Sequence, residues 1–310
     1  MSKLGIIPLS GSLEFSKKVD ACLQGWRGDG TNLIQSECPR FGTGEAKGLL
    51  LESVRGRDIY IIVDVLNSSI TYPLAGSINH MSPDDHFQDL KRTISACIGR
   101  QDRLTVIMPF LYEGRQHKRH GRESLDCANM LKELSEIYGV TDFITFDAHD
   151  PRLQNSVPLT SFENVYAYFQ FLKTLCKTVP DIKFDKNELM FIAPDEGATH
   201  RSVYMSSTLG INMGMFYKRR DFSQIIEGRN PIIAHEYLGE SVEGKDCIVI
   251  DDMISSGESI LDVAKQLKER KARRIFLFTT FGLFTKGLEK FDEAYKEGYF
   301  NEIKKEVPHL

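Results

Sequence analysis

The sequence predicts an α/β protein with mostly parallel sheets. Six short runs are apolar almost throughout: Asp58–Val65, Leu104–Phe110, Asp142–Asp147, Leu189–Ala193, Cys247–Ile250 and Arg274–Thr280. Continuous rather than alternating apolarity suits strands covered on both faces. Helical patterns fall between these runs, and such alternation is the mark of an α/β layer architecture. At 310 residues the chain exceeds one core of ordinary size and suits two domains of about 150 residues. The expected division is 1–155 and 156–310.

The helices carry their own signals. Ser82-Pro83-Asp84-Asp85 offers an N-cap, a proline at the first helical position and acids in the first turn. Behind it Phe87, Leu90, Ile94 and Cys97 share one face. Leu125, Ala128, Leu131 and Leu134 mark a second helix, closed by Gly139; Val165, Phe169 and Leu172 mark a third. A fourth runs from Ser259 to about Arg270, with Ile260, Val263, Ala264 and Leu267 inward and a basic end that complements the helix dipole.

Composition narrows the class. Apolar residues make up 41% and charged residues 26%, which excludes a disordered or fibrous chain. The net charge of −4 and pI near 6.1 leave no global basic surface for nucleic acid or anionic membrane. The basic run Arg115–Arg122 lacks the interleaved aromatics of a nucleic-acid surface. No apolar run reaches the ~18–20 residues that span a bilayer, and the first residues make a poor signal peptide. The six cysteines are scattered without metal spacing, so reduced, mostly buried thiols in the cytoplasm are expected.

The most informative stretch is Cys247–Ser259. An apolar strand ends in Asp251 and Asp252, then Ser255-Ser256-Gly257 opens a helix that holds Ser259. Loop amides and hydroxyls converging on a helix N-terminus make a phosphate cradle. The two carboxylates are placed for ribose hydroxyls or a metal.

This stretch resembles the phosphoribosyl diphosphate (PRPP) loop of type I phosphoribosyltransferase folds. Arg40–Glu45, Glu52–Gly56, Met108–His117, Phe146–His149, Pro194–Gly197 and Tyr217–Arg220 then resemble, in order, the ribose-phosphate diphosphokinase (PRPP synthetase) family. The similarity is to a longer, clostridial-type branch with extra residues around Tyr72–Asp85. It implies two type I phosphoribosyltransferase-like domains, ATP on the first and ribose 5-phosphate on the second. The implied reaction moves the diphosphoryl group of Mg–ATP to the anomeric hydroxyl of ribose 5-phosphate, giving PRPP and AMP.

The resemblance assigns roles position by position. Phe41, Glu45, Arg115, Gln116 and His149 match ATP-binding positions. Asp251, Asp252, Ser255, Ser256, Gly257 and Ser259 match the ribose 5-phosphate loop. Lys218 and Arg220 match the catalytic loop, where cations neutralise the transferring group. His149 and Asp195 match positions around Mg²⁺, and oxygen-seeking magnesium makes Asp195 the safer ligand. Taken singly, Phe41 reads as core, Arg115 as a surface cation and Lys218-Arg219-Arg220 as a solvated charge run. A homo-oligomer, hexamer or dimer, is also implied.

Four departures from the family pattern stand out. Thr43 and Ser255 replace usual acids, and Ala198 replaces a common glycine. Residues 291–310 are charged and weakly patterned where members usually continue with a further strand and helix; either this branch ends differently or that element is missing, and its absence would expose a sheet edge and weaken oligomer contacts. Two rival readings remain: a non-catalytic regulatory homologue, and a phosphoribosyltransferase that consumes PRPP.

Overall fold

The structure, a computed structural model, describes residues 3–28, 30–119, 121–220 and 232–307. The side chains of 218–220, 232–235 and 304–307 are not among the described groups. The chain forms two compact units, one through Tyr166 and one from Ala167 onward.

The first unit runs β1 (Lys3–Pro8), α1 (Leu13–Arg27), β2 (Ser36–Glu37), β3 (Leu49–Leu50), β4 (Arg57–Ile62), β5 (Thr71–Leu74), β6 (Ser77–His80), α2 (Pro83–Cys97), β7 (Arg103–Ile107), α3 (Asp126–Lys132), β8 (Asp142–Phe146) and β9 (Ser161–Val165). Its main sheet has the order β1-β4-β7-β8-β9, and each neighbouring pair is parallel. Two small antiparallel hairpins, β2–β3 and β5–β6, stand apart from it. Helix α2 starts as the sequence predicts, with a capping box in which Ser82 and Asp85 satisfy each other's backbone amides. Helix α3 continues into a π-helical turn, Glu133–Ile137.

The second unit runs α4 (Tyr168–Thr178), β10 (Leu189–Ala193), α5 (Thr199–Leu209), β11 (Met213–Arg220), β12 (Ile232–Leu238), β13 (Asp246–Ile254), α6 (Glu258–Glu269), β14 (Arg274–Gly282), α7 (Glu289–Lys296) and β15 (Glu302–Val307). The sheet order is β12-β11-β10-β13-β14-β15, with β11–β12 the one antiparallel pair. Its strands feed two cores. Met190, Ile192, Val249 and Leu277 pack with Val263, Leu267 and Phe291 of α6 and α7. Leu189, Phe191, Ile250 and Phe278 pack with Phe171, Leu175 and Met205 of α4 and α5. Both faces are covered, which is why these strands read as unbroken apolar runs.

Three expectations change. Val165 lies in β9, not in the helix with Phe169 and Leu172, because α4 begins at Tyr168. The weakly patterned C-terminal stretch forms α7 and β15, and β15 pairs with β14, covering the edge that a missing element would have left bare. The thiols are free, but Cys22 and Cys176 are exposed; only Cys97, Cys127 and Cys247 are buried.

Asp246 anchors the amino end of β13. It is 1% exposed and accepts two hydrogen bonds from Arg273 (2.8 and 3.0 Å) and two from Arg274 (3.0 and 2.6 Å). Burial pushes its carboxyl up, but the bonds from Arg274 and Arg273 outweigh that and hold it below the usual range. A depressed carboxyl stabilises above its unfolded value and loses that contribution as pH falls. Asp246→Asn should therefore cost about 1–3 kcal/mol in urea unfolding at pH 7, allowing for the water around the arginines. The gap from wild type should narrow below the ordinary aspartate value of about 3.9.

Candidate active site

In the second unit the register builds the site. Parallel β10 and β13 pair Leu189 with Asp246 and Ile192 with Val249. The chain therefore leaves β10 at Pro194-Asp195 beside Asp251 and Asp252. The carboxylates do not follow the end of β13, as the sequence suggested. β13 continues to Ile254 against β14, pairing Asp251 with Thr279 and Ile254 with Gly282. Only the ladder to β10 has ended there; Asp251 is half-buried and Asp252 is buried, at the carboxyl end of the sheet where such folds bind ligands.

The electrostatics are severe. Burial pushes the Asp251 carboxyl well above the usual range, and the negative charges of Asp252 and Asp195 push it further. Arg201 of α5, 1% exposed, lies 3.9 Å from Asp252 and pulls the other way on Asp251. Asp251 also accepts the Asp252 amide at 2.9 Å. Asp195 turns back to accept the Ala198 amide at 3.2 Å, which fixes the turn into α5. Arg201 is a site residue that sequence reading missed; its signal was a basic residue six places after Asp195 on an otherwise buried helix face.

The loop after β13 is held from behind. Gly257 is the N-cap of α6 with φ +83°, a left-handed conformation that favours glycine. A Cβ there would stand 2.2 Å from Phe291 Cζ. Phe291 is buried on α7 and meets Phe284 edge to face at 5.1 Å. Thr285 N donates to the Ser255 carbonyl at 3.0 Å, and the Ser255 and Thr285 hydroxyls lie 3.5 Å apart. Ser256 precedes Gly257, and Ser259 sits in the first turn of α6. The expected cradle of small residues at a helix N-terminus is present. Its rear wall, Phe291, had no sequence signal that set it apart from the other aromatics of the charged stretch, Tyr295, Tyr299 and Phe300.

The first unit gathers a second set. The loop after β7 is pinned by Tyr112, which stacks on Phe87 at 4.4 Å and donates to Asp84 at 2.6 Å. Beyond it Gln116 N donates to Glu113 O at 2.8 Å, and the Gln116 amide donates to Ser124 O at 2.9 Å. Arg115 is exposed beside them. His117 meets His149, from the loop after β8, with ring centroids 5.2 Å apart. Its Nε2 lies 3.6 Å from Asp150. Asp150 is brought down to about 2 by the hydrogen bonds of Arg152. Burial and then the neighbouring His149 lower His117. Arg115, Gln116 and His149 thus occupy adjoining loops at the carboxyl ends of β7 and β8, with His117 and Asp150 as partners the sequence reading had not singled out.

Phe41 and Glu45 sit on a separate tight turn. Phe41 N donates to Glu45 O at 2.7 Å and Gly44 N to Phe41 O at 2.9 Å. Phe41 is 55% exposed, so it is not core. The Thr43 hydroxyl, in the place of the usual acid, donates to Glu45 at 2.9 Å. Lys218 and Arg220 lie on β11, where Lys218 pairs with His235 and the register shifts between Arg219 and Arg220; their side chains are outside the described residues. His149 belongs to the first unit and Asp195 to the second. Among the described residues no three His, Cys, Asp or Glu side chains form a metal cluster, and no helix is long and apolar enough to cross a membrane.

Residues 4–137 match the family described as the N-terminal domain of ribose phosphate pyrophosphokinase. Residues 168–308 match the phosphoribosyl transferase domain. A ribose-phosphate pyrophosphokinase of Corynebacterium efficiens is 30% identical over 79% of this chain and 68% of its own length. The chain belongs to the ribose-phosphate pyrophosphokinase family. The Ureaplasma parvum member is 26% identical over 96% of this chain and 81% of its own. The fold is that of the phosphoribosylpyrophosphate synthetase of Mycobacterium smegmatis, with TM-score 0.77 and 20% identity over 99% of this chain and 93% of that one.

Two outcomes test the geometry. Gly257→Ala should lower stability by about 1–3 kcal/mol; in the Phe291→Ala background only the steric part of that loss should vanish, the left-handed backbone cost at φ +83° remaining. A double-mutant cycle by urea unfolding reads the coupling. Asp64, buried at the carboxyl end of β4, is pushed up to about 6 by burial despite the Leu66 amide it accepts. A raised carboxyl loses stability as pH rises from its unfolded value through 6. Asp64→Asn should therefore stabilise the protein at pH 7 by about 1–3 kcal/mol, an advantage that calorimetry should find gone at pH 4.

Proposed function

We propose that this chain makes PRPP and AMP from Mg–ATP and ribose 5-phosphate. The observation that carries the reading is the adjacent placement of Asp195, Asp251 and Asp252 with the Ser255–Ser259 loop, in a family member whose first unit retains Arg115, Gln116 and His149. In this reading the loop amides and the hydroxyls of Ser255, Ser256 and Ser259 hold the 5-phosphate at the start of α6. Asp251 and Asp252 accept the ribose hydroxyls, and Arg201 holds Asp252 in place. On the first unit Phe41 packs on the adenine, while Arg115, Gln116, Glu45 and His149 orient the nucleotide.

The chemistry is a displacement at the β-phosphorus of ATP. The bond from the anomeric oxygen to phosphorus forms, the bond to the α–β bridging oxygen breaks, and the anomeric proton passes to solvent. AMP carries away the electron pair. Phosphoryl chemistry needs alignment and charge neutralisation more than covalent help. Lys218 and Arg220 supply that positive charge. Mg²⁺ suits the site: Asp195 offers a hard oxygen ligand, and its mutual repulsion with Asp251 and Asp252 is what a divalent cation relieves. Magnesium keeps several waters, so one or two carboxylates suffice. Bound, it would neutralise charge on the phosphates. The same reading places the protein in the cytoplasm as a homo-oligomer.

The retained ATP-side residues favour this activity over a PRPP-consuming transferase. A coupled assay decides it. Purified protein with Mg–ATP and ribose 5-phosphate should release AMP and PRPP in equal amounts. Lys218→Ala should cut the rate by about 10²–10³. ADP as product would make the protein an ordinary kinase, and binding of ribose 5-phosphate without turnover would make it a regulatory homologue.

A further inference from the structure

The turn that carries Phe41 and Glu45 is exposed and short, and the apolar core does not hold it. What holds it is Arg40, the residue just before it. Arg40 pairs with Ala46 across the turn in an isolated β-bridge. Its guanidinium donates to Asp89 at 2.9 Å, lies 4.0 Å from Asp85 and donates to the Gly44 carbonyl at 3.4 Å. The last of these bonds ties Arg40 directly to the turn.

The fourth wall of this node comes from the β5–β6 hairpin. The Tyr72 ring lies under the guanidinium, 4.5 Å from Cζ, and its hydroxyl donates to Asp85 at 3.3 Å. Asp85 also closes the capping box of α2, so turn, hairpin and helix start share one carboxylate. Two residues along, Leu74 seats against the turn itself. A Cβ at Gly44, whose φ is +90°, would meet Leu74 Cδ1 at 3.0 Å. The hairpin therefore touches the turn twice, once through Arg40 and once directly.

We propose that Tyr72 and Leu74 are positioning residues for the ATP-binding turn, so that the hairpin sets the affinity for nucleotide without touching it. The inference rests on the assignment of ATP to Phe41 and Glu45. Removing the ring deprives the guanidinium of a face contact and lets Arg40 release Gly44. Phe41 then samples orientations that cannot pack on a base, and ATP binding weakens. Ribose 5-phosphate binding, on other residues, is untouched.

Steady-state kinetics and amide exchange on the full chain test this together. Tyr72→Ala should raise KM for ATP about three- to tenfold and leave KM for ribose 5-phosphate within about twofold. Exchange of the Phe41 and Gly44 amides, both bonded within the turn, should quicken. Tyr72→Phe keeps the ring and should restore both readouts. Leu74→Ser should reproduce the ATP effect by the second contact, which keeps the test open if Tyr72→Ala folds poorly. Unchanged ATP KM and exchange in both variants of an active enzyme would overturn the brace alone, as would a parallel rise in both KM values. A wild-type chain that forms no PRPP would overturn the ATP assignment and the positioning role with it.

Discussion

The candidate site of the second unit depends on the burial of Asp251 beside the negative charges of Asp252 and Asp195. Three carboxylates gathered on and just after buried strands are costly, because the same burial that strips their water also strengthens their mutual field. The protein meets the cost with local devices. Arg201 is buried against Asp252, backbone amides are turned toward Asp195 and Asp251, and β13 runs on past the acids so that its backbone stays paired with β14. In the proposed reaction the remaining negative potential is what the sugar and its cation would satisfy. The site is therefore a frustrated piece of an otherwise consistent fold, as functional sites commonly are.

The first unit works by a different rule. The residues proposed to bind nucleotide sit on loops, and each loop is tied down by a side chain that is not itself a ligand in the proposed reaction: Tyr112 for the Arg115 loop, Asp150 and Arg152 for the His149 loop, Arg40 for the Phe41 turn. Anchoring of this kind limits the entropy lost when a substrate binds. Electrostatics dominate one unit and mechanical support the other, on sheets of the same parallel kind.

The central strands were legible because burial on both faces leaves a continuous apolar run. Leu189–Ala193 matches its strand at both ends, and Ser82-Pro83 marks the start of α2 because a cap is a local event. Edge elements were not legible. β9 alternates between exposed and half-buried positions, β1 contains Gly5 pressed against Ile34 and Ile59, and β15 is a charged strand defined by its partner. In the candidate site, Asp195, Asp251 and the serine loop were visible because polar motif residues follow an apolar run, although β13 continues past Asp251 to Ile254. Arg201 and Phe291 were not, since each acts through tertiary contacts that spacing does not encode. Phe41 illustrates the reverse: a lone phenylalanine reads as core, and only its motif pointed to the surface.

The contact between Gly257 and Phe291 also orders events during synthesis. The glycine leaves the ribosome well before the aromatic ring that backs it, and β15, which completes the sheet beside β14, comes later still. Parallel pairing between distant segments closes late. The serine loop is backed by a ring from α7, a helix that follows β14, and not by the strand and helix that it joins.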